Sequence, residues 1–403
     1  TCAFFLLFCS LLFPSLLHAQ NWTGLGADNN WSTAANWSSG APPTATSINF
    51  TGTTRLTSFN DTAAGTSYAT FNFSSTAGAF VVSGNAVVLG GDATDSSATK
   101  ETINLVLRLG SGTSRNFNIV NAAGELEISQ GIEVVSGTAN LVKVGRGAMT
   151  LTGANTYNGL TSVLDGTLTI SGASGSLVLG TGITVTNGAT FRLSNTAAAN
   201  STARLADTQA ISLNGGNMQF LNTGGAVNYS ETVGVLTLAG GVNTLTSSQA
   251  DSGQTSAITF SSLSRTNGVL NFSGVGLGDD ARNRIVFTSA PNNDGIMGGY
   301  ATVGNEFAKY DATVGSVRAM QASDYITTDQ DTWTATSNVK LTASPSMLSA
   351  SRQINSLNLA PGSAFTMDLG GRTLRVESGG ILFSGSQTAM VQHGTLSAGE
   401  GTN

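Results

Sequence analysis

Residues 141–170 read LVKVGRGAMTLTGANTYNGLTSVLDGTLTI. Met149-Thr150-Leu151 and Leu168-Thr169-Ile170 alternate apolar with polar residues, as strands with one buried face do. The Gly, Asn, Thr and Tyr residues between them, Gly153 to Gly159, form a turn signal. The rhythm recurs downstream. From Leu168/Ile170 the next such pair, Phe191/Leu193, lies 23 residues on; Ile211/Leu213 follows after 20, Leu236/Leu238 after 25 and Ile258/Phe260 after 22. A recurrence of this length fits one coil of a parallel β-helix, in which a coil buries its inward face only by stacking on its neighbours. Short Gly-bounded strands also suit an antiparallel sandwich, and spacing alone leaves both open.

Composition agrees with an all-β chain with little helix. Of 403 residues 50 are Gly, and only 10% are charged, against averages of about 7% and about 25%. Ser, Thr and Asn fill the polar positions. The 40% hydrophobic content excludes disorder, because a disordered chain of low charge carries fewer Val, Leu, Ile and Phe. Net charge is −6, with 13 Arg and 4 Lys scattered along the chain. No basic stripe marks a nucleic-acid binder.

Residues 1–19 read as a secretory leader whose start is truncated: Ala3 to Phe8 and Leu11 to Phe13 form the apolar core, and Leu17-His18-Ala19 the cleavage site. Cys2 and Cys9 leave with it, so the expected mature chain has no disulfide or thiolate chemistry. His18 leaves too, and His393 alone cannot build a multi-His zinc site.

Residues 20–50 form a Trp-rich segment holding Trp22, Trp31 and Trp37. Its expected role is a cap, since large aromatics can seal the open apolar end of a first coil. The alternative is a carbohydrate contact, with the three rings stacking on sugars. Residues 51–278 read as solenoid, 279–350 as an irregular β/loop insertion, and 351–403 as resumed solenoid, truncated C-terminally. Ala197 to Asp207 reads as a short helix or a coil-side excursion, and Trp333 as a packing residue.

The enzyme alternative is a polysaccharide-active β-helix, and candidate chemistry for it is sparse. Asp279 and Asp280 are adjacent carboxyls, and a glycosidase needs two on one surface; in a strand they would point to opposite faces. Asp92, Asp95 and Glu101 flank a loop without an acid/base spacing. His393 lacks the strand–turn–helix context of a nucleophile elbow. No phosphate-binding loop or calcium nonapeptide occurs. No residue is nominated as catalytic, cofactor-binding or metal-ligating.

Lys143-Val144-Gly145-Arg146-Gly147, Met149-Thr150-Leu151, Ala154-Asn155-Thr156-Tyr157-Asn158-Gly159 and Asp165-Gly166-Thr167-Leu168 resemble the autotransporter-associated β-strand repeat, with Val144 where Thr is usual. The resemblance implies a right-handed parallel β-helix that is secreted or displayed on the outer face of the outer membrane. It implies a non-enzymatic scaffold or adhesion role and no cofactor. The partners it implies are surface polysaccharide or other cell-surface components, with no nucleic acid. It also implies export through the outer membrane by a barrel that is not in this chain.

Overall fold

The computed structural model describes residues 19–399 except 111, 226, 250, 252, 293, 328 and 329. Apart from Ala19, the expected leader lies outside the described residues.

Short strands, most of three to seven residues, follow one another around three faces of a coil. Ile48–Phe50, Thr57–Asn60 and Thr66–Tyr68 make one circuit; Phe71–Phe73, Val81–Gly84 and Val87–Leu89 make the next. Successive circuits pair in parallel. On the first face one inward column runs Ile48, Phe71, Ala93, Phe117, Lys143, Val163, Val185, Leu213, Leu238. On the second face it runs Val82, Ile103, Ile128, Leu151, Ile170, Leu193, Phe220. Along these columns the step between coils ranges from 19 residues (Leu151 to Ile170) to 28 (Val185 to Leu213). The fold is therefore the all-β parallel solenoid, not the sandwich. Each fully buried Leu, Ile or Phe contributes about 2 kcal/mol, and a single coil holds too few of them to stand alone.

The third face is interrupted. Its strands at Thr66–Tyr68, Val87–Leu89, Leu107–Leu109 and Ile132–Val134 form one sheet. It then shrinks to the pair Ala154–Asn155 and Ser176–Leu177, and to a single bridge between Leu177 and Leu205. It resumes with Tyr229–Val233, Ser256–Phe260 and Asn283–Ser289. Residues 197–207 are the expected excursion; they lie at this gap and are not helical. Among the described residues only three short 3-10 turns occur, at Ala34–Asn36, Ala322–Asp324 and Gln330–Thr332.

The parallel stack continues past residue 278, where the insertion was expected to begin, because Asn283–Ser289 still pairs with the preceding coil. It ends at an antiparallel hairpin, Glu306–Asp311 with Ser316–Ala319. Ion pairs from Arg318 to Asp311 (2.8 Å) and Asp324 (2.7 Å), and from Lys309 to Asp324 (2.6 Å), hold that hairpin. A second parallel stack begins at Asn338–Leu341, earlier than 351, and continues through Arg352–Leu359, Thr373–Phe383 and Thr395–Ala398. Its core is separate and includes Trp333, packed as expected. Ile296, Phe307, Met320 and Tyr325 form a small core between the two stacks. There Gly299 meets Gly380 backbone to backbone: a Cβ on Gly299 would lie 2.5 Å from Gly380 Cα.

Candidate functional site

The repeat at 141–170 is built from contacts between coils. Lys143 follows Leu141 in the inward parity of Ala139–Val144 and is fully buried. Its Nζ donates to the carbonyls of Val144 (2.9 Å), Gly145 (2.6 Å) and, on the next coil, Asp165 (3.1 Å). The glycines leave room for this stacking. A Cβ on Gly145 would lie 2.3 Å from the Ile119 carbonyl, and one on Gly159 would lie 2.2 Å from that of Ala139. Asn155 spans three coils: its Oδ1 accepts from Ile132 N (3.0 Å), and its Nδ2 donates to Gly153 O and Ser176 O (both 2.9 Å). The Tyr157 ring is buried, with its hydroxyl 2.8 Å from that of Thr161. The motif residues thus tie each turn to the turns above and below.

Burial pushes the Lys143 amine down to about 8, against the opposing pull of Asp165. A folded-state value below the ordinary 10.5 gives stability that is present above 10.5 and lost as pH falls through about 8. Guanidinium denaturation is therefore expected to show wild type gaining on Lys143→Met between pH 7 and pH 10, by an amount on the order of 3 kcal/mol. A constant difference between the two would contradict this placement of the charge.

Trp22, Trp31 and Trp37 are 0%, 0% and 2% exposed. Trp37 meets Trp22 and Trp31 edge-on, with centroids 5.2 and 5.7 Å apart, and Trp31 continues into Phe50, Tyr68 and Phe71. Asn36 organises the loop around them, donating to Asp28 O (3.0 Å) and Asn30 O (2.9 Å) and accepting from Gly26 N (2.8 Å). Stacking on a sugar needs an exposed ring face, and none of the three rings has one. The rings close the first coil instead.

The other candidates are dispersed. Asp280 pairs with Arg282 at 2.9 Å, and the Arg282 N–H and guanidinium hold its carboxyl below the usual range. Asp279 turns to Gln321 (3.5 Å). His393 is exposed and meets Asp368 at 2.9 Å. Asp92 faces outward and binds Asn116. Asp95 and Glu101 face inward and are fully buried; burial first, and then the charge of Glu101, push Asp95 up to about 7.

Sequence reasoning missed a buried polar file. Arg204, from the excursion, donates to Asn195 Oδ1 (2.7 Å); Asn195 donates to Asn222 (2.9 Å), and Asn222 to Ser256 (2.7 Å). Ser256 meets Ser247 (3.0 Å), which meets Asn283 (3.2 Å). Outward, Asn72 donates to Asn49 and Asn49 to Asn21, both at 2.8 Å, beside a shallow cleft of about 300 Å³. A second cleft of about 350 Å³ lies on the second stack, between Trp333 and the outward row of Gln353, Thr373 and Arg375. Among the described residues no helix is long and apolar enough to cross a membrane.

The family model of the passenger-associated-transport-repeat matches residues 141–170. No curated protein and no solved structure matches the chain. That repeat, set in a parallel β-solenoid with an aromatic N-terminal cluster, fits an autotransporter passenger-type repeat protein.

Proposed function

We propose that this chain is a non-enzymatic structural stem, exported as a passenger and displayed on the extracellular face of the outer membrane. The observation that carries this reading is how the repeat motif is used. Its Lys, Asn and Gly residues, and the backbone N–H of Tyr157, are consumed in stacking coils. Such stacking propagates from coil to coil, which suits a chain that folds as it emerges. An epitope placed in the exposed Asn187–Gly188 turn tests the display. Labelling of intact producing cells equal to that of permeabilised cells is the expected result. Labelling that requires permeabilisation would reject the reading.

The second reading, contact with surface polysaccharide, draws its support from the cleft beside Trp333. Arg375, Gln353 and Thr373 offer donors and acceptors in one row there. Binding to a glycan panel that is reduced at least tenfold by Gln353→Ala/Arg375→Ala would favour it over a stem alone.

A further inference from the structure

Residues 93–101, ATDSSATKE, turn the corner between the strand Ala93–Asp95 of the first face and Lys100–Asn104 of the second. Every second side chain from Asp95 carries oxygen: Asp95, Ser97, Thr99, Glu101. Asp95, Ser97 and Glu101 are fully buried. Asp95 occupies an inward column between Phe73 and Ile119, where an apolar side chain would be the ordinary occupant. Its Oδ1 accepts the N–H of Ser97 at 2.9 Å. Its Oδ2 is buried with no hydrogen-bond partner.

The rest of the corner is also oxygen. Glu101 accepts from the N–H of Phe80 (2.7 Å) and from the Thr99 hydroxyl (2.9 Å). The Ser97 hydroxyl donates to the Ala77 carbonyl (3.1 Å) and meets Thr99 Oγ1 at 2.7 Å. The adjacent cation does not serve these carboxyls. Lys100 turns outward to Glu125 (3.2 Å) and Glu127 (2.7 Å). Two carboxyl groups are therefore buried at one corner without a positive partner among the described residues, which is costly for either of them as an anion.

We propose that this corner is a cation site in which Asp95 and Glu101 bind a calcium ion, with the Ser97 hydroxyl and the Ala77 carbonyl as neutral oxygen ligands. The donor set selects the ion. Oxygen ligands without nitrogen or sulfur suit a hard cation. Calcium accepts irregular oxygen cages, whereas magnesium demands a near-ideal octahedron and keeps its waters, which a dry corner does not supply. The ion joins the coil of Phe80 to that of Asp95, just beyond the aromatic cap. Two carboxylates with neutral oxygens place the affinity in the range of extracellular calcium modules, about 10⁻⁴ to 10⁻³ M.

Equilibrium dialysis of the full chain against radioactive calcium, after removal of metal with a chelator, tests the site. About one ion per chain is expected, with affinity at least tenfold weaker in Asp95→Asn and in Glu101→Gln, and with magnesium unable to compete at equal concentration. Saturating calcium is expected to raise the melting midpoint of wild type by about 4 °C and to raise that of either variant less. Absence of calcium uptake by wild type at millimolar concentration overturns the proposal, and so does uptake that both variants retain. If Asp95→Asn does not fold, Glu101→Gln and Ser97→Ala decide by the same two readouts.

Discussion

Replacing Trp31 with alanine is expected to destabilise the N-terminal coils by about 4 kcal/mol, in the range for a buried aromatic cut back to Ala. Trp31 is fully buried, and its ring touches Trp37, Phe50, Tyr68 and Phe71. Removing it opens the end of the stack to water, and in a solenoid that exposure passes to the next coil. Hydrogen exchange should show the loss concentrated in residues 20–90 and fading toward the middle of the chain. Trp31→Phe separates packing from hydrogen bonding. The indole Nε1 of Trp31 is buried without a partner, so Phe removes an unsatisfied donor along with part of the ring, and a cost of about 1 kcal/mol or less is expected. Uniform fast exchange over residues 20–90 in wild type would remove the cap from this account.

The inward columns were legible because their residues keep a period of two and recur at coil length. Leu168, Phe191 and Ile211 read as core residues in the sequence, and the structure buries them. The same parity also marks buried polar groups. Asn195 follows Phe191 and Leu193; Asn222 follows Met218 and Phe220; Glu231 lies between Tyr229 and Val233; Asp95 follows Ala93. In a chain where Asn and Ser are the common outward residues, residue type alone cannot distinguish the two faces; position within the strand can. Arg204 carries no such signal, because it lies in the excursion and outside any strand. Asn283–Ser289 falls within the segment expected to be an irregular insertion, yet Asn283, Ile285 and Phe287 alternate inward. The hairpin that ends the first stack had no periodic signature at all. Local ion pairs among Lys309, Asp311, Arg318 and Asp324 hold it, and only the neighbouring Gly299–Gly380 contact joins residues distant in sequence.

Arg204→Ala is expected to cost about 3 to 5 kcal/mol, as breaking a buried charged cluster does. Arg204 is fully buried. Its guanidinium donates to Asn195 Oδ1 and to the carbonyls of Gly172 (3.0 Å), Gly175 (2.9 Å) and Ala199 (2.8 Å). Its backbone N–H and that of Leu205 bind the carboxylate of Glu231 at 3.2 and 2.9 Å. Alanine takes the donor from the three carbonyls, leaves Asn195 Oδ1 with the Ser201 N–H alone, and leaves Glu231 without its cation. Lysine is not expected to rescue, because a point charge cannot fill a forked site. Burial pushes Glu231 up to about 7, against the two N–H groups and the charge of Arg204. A carboxyl raised above its ordinary 4.5 contributes stability that is fully present below 4.5 and lost as pH rises through about 7. Denaturation of wild type and Glu231→Gln at pH 4.5 and pH 8 should therefore differ in slope by about 3 kcal/mol, with wild type losing more at the higher pH. Asp95 and Lys143 titrate equally in both proteins and cancel from the difference. In the double variant Arg204→Met/Glu231→Gln neither buried charge of the pair remains, and at pH 8 it should lie closer to wild type than Arg204→Ala does. Additive losses in that cycle would show that the two residues act independently, and that the excursion is held by its backbone contacts alone.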